Sequence, residues 1–209
     1  MHTDVLTPAA TECFPYLSDF KGDFYLAGGT GLALQIGHRV SVDFDLFSAE
    51  PIKKTLLATI ERIFAKASRE ILISNKNELT IIAGGVKFTF LHYPFPVMLP
   101  LNASGPIPML AAREILAAKA YTIGRRGEFK DYVDIYCGLS GGHSSLGEII
   151  TLAQQKYEDA FNDRLFLEQL VYLDDVEDVE ITMISGRVPS KNEMVDYFSG
   201  LIQRESIVS

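Results

Sequence analysis

The stretch that decides the fold comprises residues 26–48 and reads LAGGTGLALQIGHRVSVDFDLFS. The apolar residues that lead into Gly28 and Gly29 predict a short buried strand that ends at a tight turn. Thr30 is a residue type that caps helices, and the apolar residues after it predict a helix of about two turns that ends at Gly37. The segment VDFDLF then alternates apolar and acidic residues, which predicts a second strand with one apolar face and one acidic face.

Outside this stretch, the periodicity of the chain changes near residue 100. Before that point, residues 52–68 have the spacing of an amphipathic helix, and strand patterns follow at residues 70–75 and 78–96. Gly84 and Gly85 lie between two β-rich runs, so the last two strands are predicted to be antiparallel neighbours. After a stretch that contains several Pro and Gly residues, the helical predictions are residues 109–124, 128–139, 146–157, 163–173 and 191–204, with an acidic connection before the last. We therefore predict an α+β fold, in which a mixed β-sheet with flanking helices precedes a helical half.

The composition restricts the classes of function. With 209 residues, 47% of them hydrophobic, the chain is large enough to bury an ordinary core. Its formal net charge of −8 disfavours general binding to nucleic-acid backbones, which needs a basic face, but a local basic cleft is compatible with it. Cys13 and Cys137 lack the paired spacing of a zinc site, so we expect reduced thiols and a cytoplasmic protein. We find no export signal and no apolar run of about 18 residues, so no membrane association is expected.

Two acids and two glycines form a pattern that suits metal and phosphate binding. Asp43 and Asp45 are two residues apart on the predicted strand, so their carboxylates share a face and can hold Mg²⁺ or Mn²⁺. Gly28, Gly29 and Thr30 precede a helix, whose first N–H groups and positive dipole end suit a phosphate. Together they indicate phosphoryl or nucleotidyl transfer. The alternatives are an ordinary glycine turn and the solvated face of an edge strand.

The order of these residues resembles that of a known superfamily. The GGT motif, a spacer of about a dozen residues and the DFD triplet resemble the first motif of polymerase-β-like nucleotidyltransferases. The fuller string GGTGLALQIGHRVSVDFDLF resembles the AbiEii/AbiGii toxin family of bacterial abortive-infection and toxin–antitoxin systems. A second stretch, AAREILAAKAYTIGRRGEFKDYVDIY, is similar to the downstream helical signature of that family. The resemblance covers roughly residues 24–139.

The resemblance implies two domains and a set of site residues. Residues 1–100 would form a nucleotidyltransferase-like α/β domain, and residues 101–209 a helical subdomain that packs over the site. Asp43 and Asp45 would bind the metal ion. The implied catalytic residues are Asp43, Asp45, Lys119, Asp131 and Asp134, and the implied nucleotide-binding residues are Gly28, Gly29, Thr30, Arg39, Arg126 and Lys130. For Arg39 a structural role at the helix end is an equal alternative. For Lys119 the alternative is a side chain that extends to solvent, and for Lys130 and the two helical acids it is a set of surface ion pairs.

One departure from the superfamily concerns a third carboxylate, which usually lies on a later strand and completes a two-metal site. The strand that we assign to this role, within GVKFTFLHYP, contains no acid. Thr89 or Leu91 stands where the acid is expected. A one-metal or rearranged site, with Asp131 or Asp134 as substitute, would account for this departure, and so would loss of turnover.

Two functions from different classes follow. The first is a Mg²⁺-dependent enzyme that transfers a nucleoside monophosphate from a nucleoside triphosphate to a hydroxyl of tRNA or other RNA, of a protein or of a small molecule. Such an enzyme could be the toxin that acts with an antitoxin or operon partner. The alternative is a catalytically inactive nucleotide- or partner-binding protein on the same scaffold, which the missing third acid and a C-terminal region shorter than expected for the family both favour.

Overall fold

The structure is a computed structural model, which describes residues 1–208 and the side chains through residue 204. It has two compact units, Met1–Ala111 and a second that begins at Ala112. The first contains α1 (Pro8–Cys13), β1 (Tyr25–Ala27), α2 (Gly28–Ile36), β2 (Asp43–Ser48), α3 (Thr55–Ile63), β3 (Arg69–Ser74), β4 (Glu78–Ala83) and β5 (Val86–His92). The second contains α4 (Ala112–Arg126), α5 (Phe129–Ser140), α6 (Leu146–Tyr157), α7 (Asp163–Leu170) and α8 (Lys191–Val208). The predicted α+β fold class is confirmed.

The five strands form one mixed sheet in the order β1-β2-β5-β4-β3. Strands β2 and β5 are parallel, and all other neighbours are antiparallel. The predicted hairpin is confirmed, since β4 and β5 are joined by Gly84 and Gly85, which have φ angles of 58° and 78°. Positive φ at both central residues is the geometry of a type I′ turn, which only glycine and a few polar residues adopt readily.

One face of the sheet packs against helical segments of the same unit. Phe44 and Phe90 are fully buried on β2 and β5. Phe14 and Phe20 lie on a 3₁₀ helix, Phe14–Phe20, and their rings contact those of Phe44 and Phe90 at centroid distances of 6.1 Å and 4.9 Å. Helix α3 adds Leu56, Ile60 and the following Phe64 to this core. Burial of these large apolar side chains fixes which face of β2 points away from the core.

Strand β3 forms one edge of the sheet and is exposed along its whole length. Ile71 and Leu72 are 50% and 47% exposed, which is unusual for apolar residues in a strand. The pairing with β4 shifts between Ile71 and Ile73, so the edge contains a β-bulge.

The second unit consists of packed helices. Helix α6 begins and ends where the sequence predicts, and Ser145 and Glu148 form a capping box at its start. Lys156 on α6 forms an ion pair with Glu114 on α4, at 2.8 Å, and both side chains are fully buried. Among the described residues, no helix combines the length and the hydrophobicity that crossing a membrane requires.

Two local predictions are wrong. Thr30 does not cap α2, because the helix begins at Gly28 with Ala27 as its N-cap residue. Val42 does not belong to the apolar face of β2, because it precedes the strand and is 59% exposed. Both errors arise at element boundaries, where local sequence patterns carry the least information.

Candidate active site

The acidic face of β2 has the geometry that the alternation predicts. Asp43 and Asp45 are half-buried, whereas the intervening Phe44 and the following Leu46 are fully buried. The two carboxylates therefore share the sheet face that points away from the core. Strand β2 lies between β1 and β5, so the alternative of an edge strand is wrong.

Both glycines at the start of α2 make room for charged side chains of the site. A Cβ atom at Gly28 would lie 2.0 Å from Asp45 Oδ2, and Gly28 also has a φ angle of 60°. A Cβ atom at Gly29 would lie 2.4 Å from Arg39 Nη2. The glycine pair is therefore more than a turn, since it lets a carboxylate and a guanidinium group approach the backbone at the start of a helix. The first N–H groups of a helix have no intrahelical acceptor and can bind an anion.

Thr30 and Arg39 connect α2 to the start of β2. The hydroxyl of Thr30 donates to the backbone carbonyl of Asp43 and lies 2.7 Å from Ser41 Oγ. Arg39 is buried, and its Nη1 donates to the backbone carbonyl of Val40 at 3.1 Å. These contacts hold the guanidinium over Gly29 and fix the position of β2 relative to the helix start.

The role of Gly28 can be tested with a matched glycine. We expect Gly28→Ala to lower Mn²⁺ affinity by about 10–100-fold, the usual cost of disturbing the support of a metal ligand, because the new methyl group displaces Asp45. Gly85→Ala is the control, since Gly85 also has a positive φ but has no neighbour within 4 Å of its would-be Cβ. Both variants should lose about 1–2 kcal/mol of stability from backbone strain. Thermal unfolding and Mn²⁺ titration separate the two effects, and equal Mn²⁺ affinity in both variants would contradict the role of Gly28.

Strand β5 borders the two acids and contributes a residue that the sequence did not reveal. Lys87 is the register partner of Asp43, and its Nζ lies 3.0 Å from Asp43 Oδ2. Thr89 is the register partner of Asp45, whereas Leu91 lies opposite Phe47. Of the two predicted positions for the third acid, the one beside Asp45 is therefore Thr89. The alternation of β5 places Lys87 and Thr89 on the same face of that strand. To place Lys87 beside Asp43 also requires the parallel register of β2 and β5, which a single sequence does not specify.

The helical unit brings Lys119 together with both of its predicted acids. Lys119 Nζ lies 2.7 Å from Asp131 Oδ1 and 2.6 Å from Asp134 Oδ2, and all three residues are buried. Burial alone lowers the pKa of Lys119, but the charges of Asp134 and Asp131 outweigh it and hold this pKa above its ordinary value. Lys119 is therefore charged at neutral pH and does not extend to solvent. Surface ion pairing is likewise wrong for Asp131 and Asp134.

Asp131 also stabilises the start of α5. Its side chain accepts a hydrogen bond from the backbone N–H of Glu128, and Glu128 caps the start of α5 in return. This capping box fixes the first turn of α5 and thereby the position of both acids relative to Lys119.

The cations at the end of α4 and the start of α5 differ in their partners. Arg125 lies 4.3 Å from the centre of the Tyr121 ring and donates to the backbone carbonyl of Ala160 at 3.0 Å. Arg126 and Lys130 form ion pairs with Glu128 at 3.5 Å and 3.0 Å, with 78% and 43% of their side chains exposed. Exposed pairs of this kind contribute about 0–1 kcal/mol, so both cations can exchange Glu128 for an anionic ligand at little cost.

The geometry of β2 and α2 fits one divalent cation and an anion beside it. Carboxylate oxygens are the ligands that Mg²⁺ prefers, and the crowding of Asp45 against Gly28 places one of them at the helix start. Within the part of the chain that the structure describes, no three His, Cys, Asp or Glu side chains are grouped so that they could hold a metal ion.

Comparison with known proteins finds matches over most of the chain. The family model "Nucleotidyl transferase AbiEii toxin, Type IV TA system" matches residues 16–200, which extends the resemblance well beyond residue 139. An uncharacterized protein of Aquifex aeolicus (strain VF5) is 33% identical over 166 residues, which cover 76% of this chain and 80% of that protein.

Two solved structures from Helicobacter pylori have similar folds. One is described as a candidate nucleotidyltransferase and has a TM-score of 0.57 and 14% identity, covering 93% of each chain. The other is JHP933, with a TM-score of 0.55 and 14% identity, covering 91% of this chain and 87% of that one. At this level of identity the two structures show the shared fold.

Proposed function

Because this chain belongs to the nucleotidyl transferase AbiEii toxin family, described as type IV toxin–antitoxin, we propose that it transfers a nucleoside monophosphate from a triphosphate to an acceptor hydroxyl. The acceptor oxygen would bond to the α-phosphorus, the bond from that phosphorus to the bridging oxygen would break, and pyrophosphate would leave. The hydroxyl proton would pass to solvent or to a basic group. The observation that carries this proposal is the Asp43 and Asp45 pair on an internal strand, with Asp45 against the glycine start of α2.

The first unit would bind the triphosphate. Asp43 and Asp45 would hold Mg²⁺ or Mn²⁺, which would neutralise charge on the phosphates. The N–H groups of Gly28, Gly29 and Thr30 would donate to phosphate oxygens. Arg39 supports this arrangement because its guanidinium is held over Gly29 by burial and by its hydrogen bond to the backbone carbonyl of Val40.

The second unit would supply further positive charge. Lys119 is kept charged by Asp131 and Asp134, which also orient it. Arg126 and Lys130 are exposed enough to contact a triphosphate or an acceptor. A net-acidic protein needs such local concentrations of cations to bind a polyanion. We therefore propose that this helical half serves as the acceptor platform.

The acceptor would be tRNA or another RNA, a protein or a small molecule, and an antitoxin would be the partner in the same operon. The description of the family as a type IV toxin–antitoxin system supports the partner. We place the reaction in the cytoplasm, where the thiols of Cys13 and Cys137 stay reduced.

The test is transfer of label from α-³²P-labelled triphosphates to separate pools of RNA, protein and aminoglycoside-like molecules in the presence of Mg²⁺. We expect covalent label in one pool and none with Asp43→Asn plus Asp45→Asn. The matched control is Asp174→Asn plus Asp175→Asn, which removes two neighbouring acids that are exposed in the second unit. Label that persists without Asp43 and Asp45 would contradict the proposed site.

A second candidate function is nucleotide binding without turnover. The observation that favours it is Thr89, a neutral residue beside Asp45 at the position of the third acid. Triphosphate binding by calorimetry, combined with no label in any pool, would support this candidate over the enzyme.

A further inference from the structure

Lys87 is placed where it neutralises part of the acidic face. It lies directly opposite Asp43 in the parallel pair of β2 and β5, and the two side chains form an ion pair at 3.0 Å. The side chain of Lys87 is 44% exposed and that of Asp43 is 20% exposed. Lys87 is therefore the more exposed partner of this ion pair.

The position next to Lys87 on the same face is Thr89, the register partner of Asp45. Strand β5 thus presents a cation and a hydroxyl group to the two acids. Two carboxylates and one ammonium group carry a formal charge of −1, which one divalent cation reverses to +1. A second divalent cation between these strands would lie within a few ångströms of a positive charge that the fold already holds there, and such like charges repel strongly in a partly buried site.

We infer that Lys87 takes the place of a second divalent cation, so that the Asp43 and Asp45 face binds one divalent ion per chain. This inference rests on the proposed function and deepens it. A third acid is needed to hold a second metal ion beside the first two. Because Lys87 on the neighbouring strand supplies that positive charge, a third acid would have no second ion to bind. This explains why the neutral residue Thr89 stands at the position of the third acid. Lys87 would release Asp43 to the metal ion and interact with the negative charge of the triphosphate.

The experiment is a Mn²⁺ titration of the whole chain, followed by electron paramagnetic resonance. The number of ions bound by the Asp43→Asn plus Asp45→Asn variant is subtracted from the number bound by each other protein. This subtraction corrects for weak binding elsewhere on an acidic protein. We expect one ion for the natural sequence and two for Lys87→Glu, which places a third carboxylate on β5. Lys87→Gln should still bind one ion, about five- to tenfold more tightly, because a repelling charge is removed. Lys66→Gln, which changes an exposed lysine of the same unit, should alter neither the number of bound Mn²⁺ ions nor their affinity.

A second pair of variants covers the case in which Lys87→Glu does not fold. Thr89→Glu should keep one ion because Lys87 remains, whereas Thr89→Glu plus Lys87→Gln should bind two. Two ions on the natural sequence would overturn this inference and leave the proposed function intact, and so would a single ion on a folded Lys87→Glu variant. No ion on the natural sequence would overturn the metal assignment of the proposed function as well.

Discussion

Replacing Asp43 and Asp45 together by Asn should remove the thermal stabilisation that Mg²⁺ and a nucleoside triphosphate give to the natural protein. A ligand at 100 times its dissociation constant stabilises the folded state by about 2.7 kcal/mol, which raises the melting temperature of a chain of this size by about 5–10 °C. The double variant should show no such rise, because the site loses both charges that hold the metal ion. Differential scanning fluorimetry with each triphosphate in turn measures the shift and identifies the preferred base.

The melting temperature without ligand should change little in this double variant. The ion pair of Asp43 with Lys87 is partly exposed, so its loss costs about 0–1 kcal/mol. Asp174→Asn plus Asp175→Asn should retain the full ligand-induced rise. If the Asp43 and Asp45 double variant also retains it, the metal assignment is wrong.

The second large effect concerns stability. Lys119→Met should lower the free energy of unfolding by about 3–5 kcal/mol, because Asp131 and Asp134 then keep buried negative charge without the ammonium group that lies within 2.7 Å of each. Urea unfolding measures the loss. The pKa of Lys119 is raised in the folded state, so this contribution is fully present below the unfolded lysine pKa of about 10.4 and is lost only as pH rises through the folded value. The difference between the two proteins should therefore be constant from about pH 6 to about pH 9.

Lys156→Met is the matched control for Lys119→Met. It breaks another buried ion pair of the helical unit, that with Glu114, and should cost a similar amount of stability. Label transfer, measured well below both melting temperatures, should fall only in Lys119→Met. Equal losses of transfer in the two variants would mean that Lys119 acts through stability alone.

Much of the sheet could be predicted because its signals are local. The alternation in VDFDLF identifies the face of β2 that carries both acids, and the glycine pair at residues 84 and 85 specifies a turn that leaves few alternatives for β4 and β5. Helix α6 is delimited by a capping box and by a change of periodicity, and its predicted ends are confirmed. In each case a few neighbouring residues determine the conformation.

The remaining features depend on residues that are distant in the sequence. The N-terminal helical segments, which were not predicted, are stabilised by contacts of Phe14 and Phe20 with β2 and β5 rather than by strong local signals. Lys87 becomes part of the site only through the parallel register of β2 and β5, which pairs it with Asp43, a residue more than forty positions earlier in the sequence. Lys119 could be identified as a site residue by resemblance to the family. Its burial could not be predicted, because it follows from the packing of α4 on α5, whereas helical periodicity indicates only the face of α4 on which Lys119 lies.

The exposed edge at β3 bears on how copies of this protein behave in concentrated solution. An apolar edge strand is a template for pairing with the same strand of another molecule, which leads to aggregation. Here the bulge between Ile71 and Ile73 interrupts the ladder that such pairing would extend. Lys66, Arg69 and Lys76 flank or begin the strand and outnumber Glu70 within it, so two copies that approach along this edge meet mostly like charges. This repulsion should weaken as salt screens the charges, so pairing of copies along β3 should increase with ionic strength.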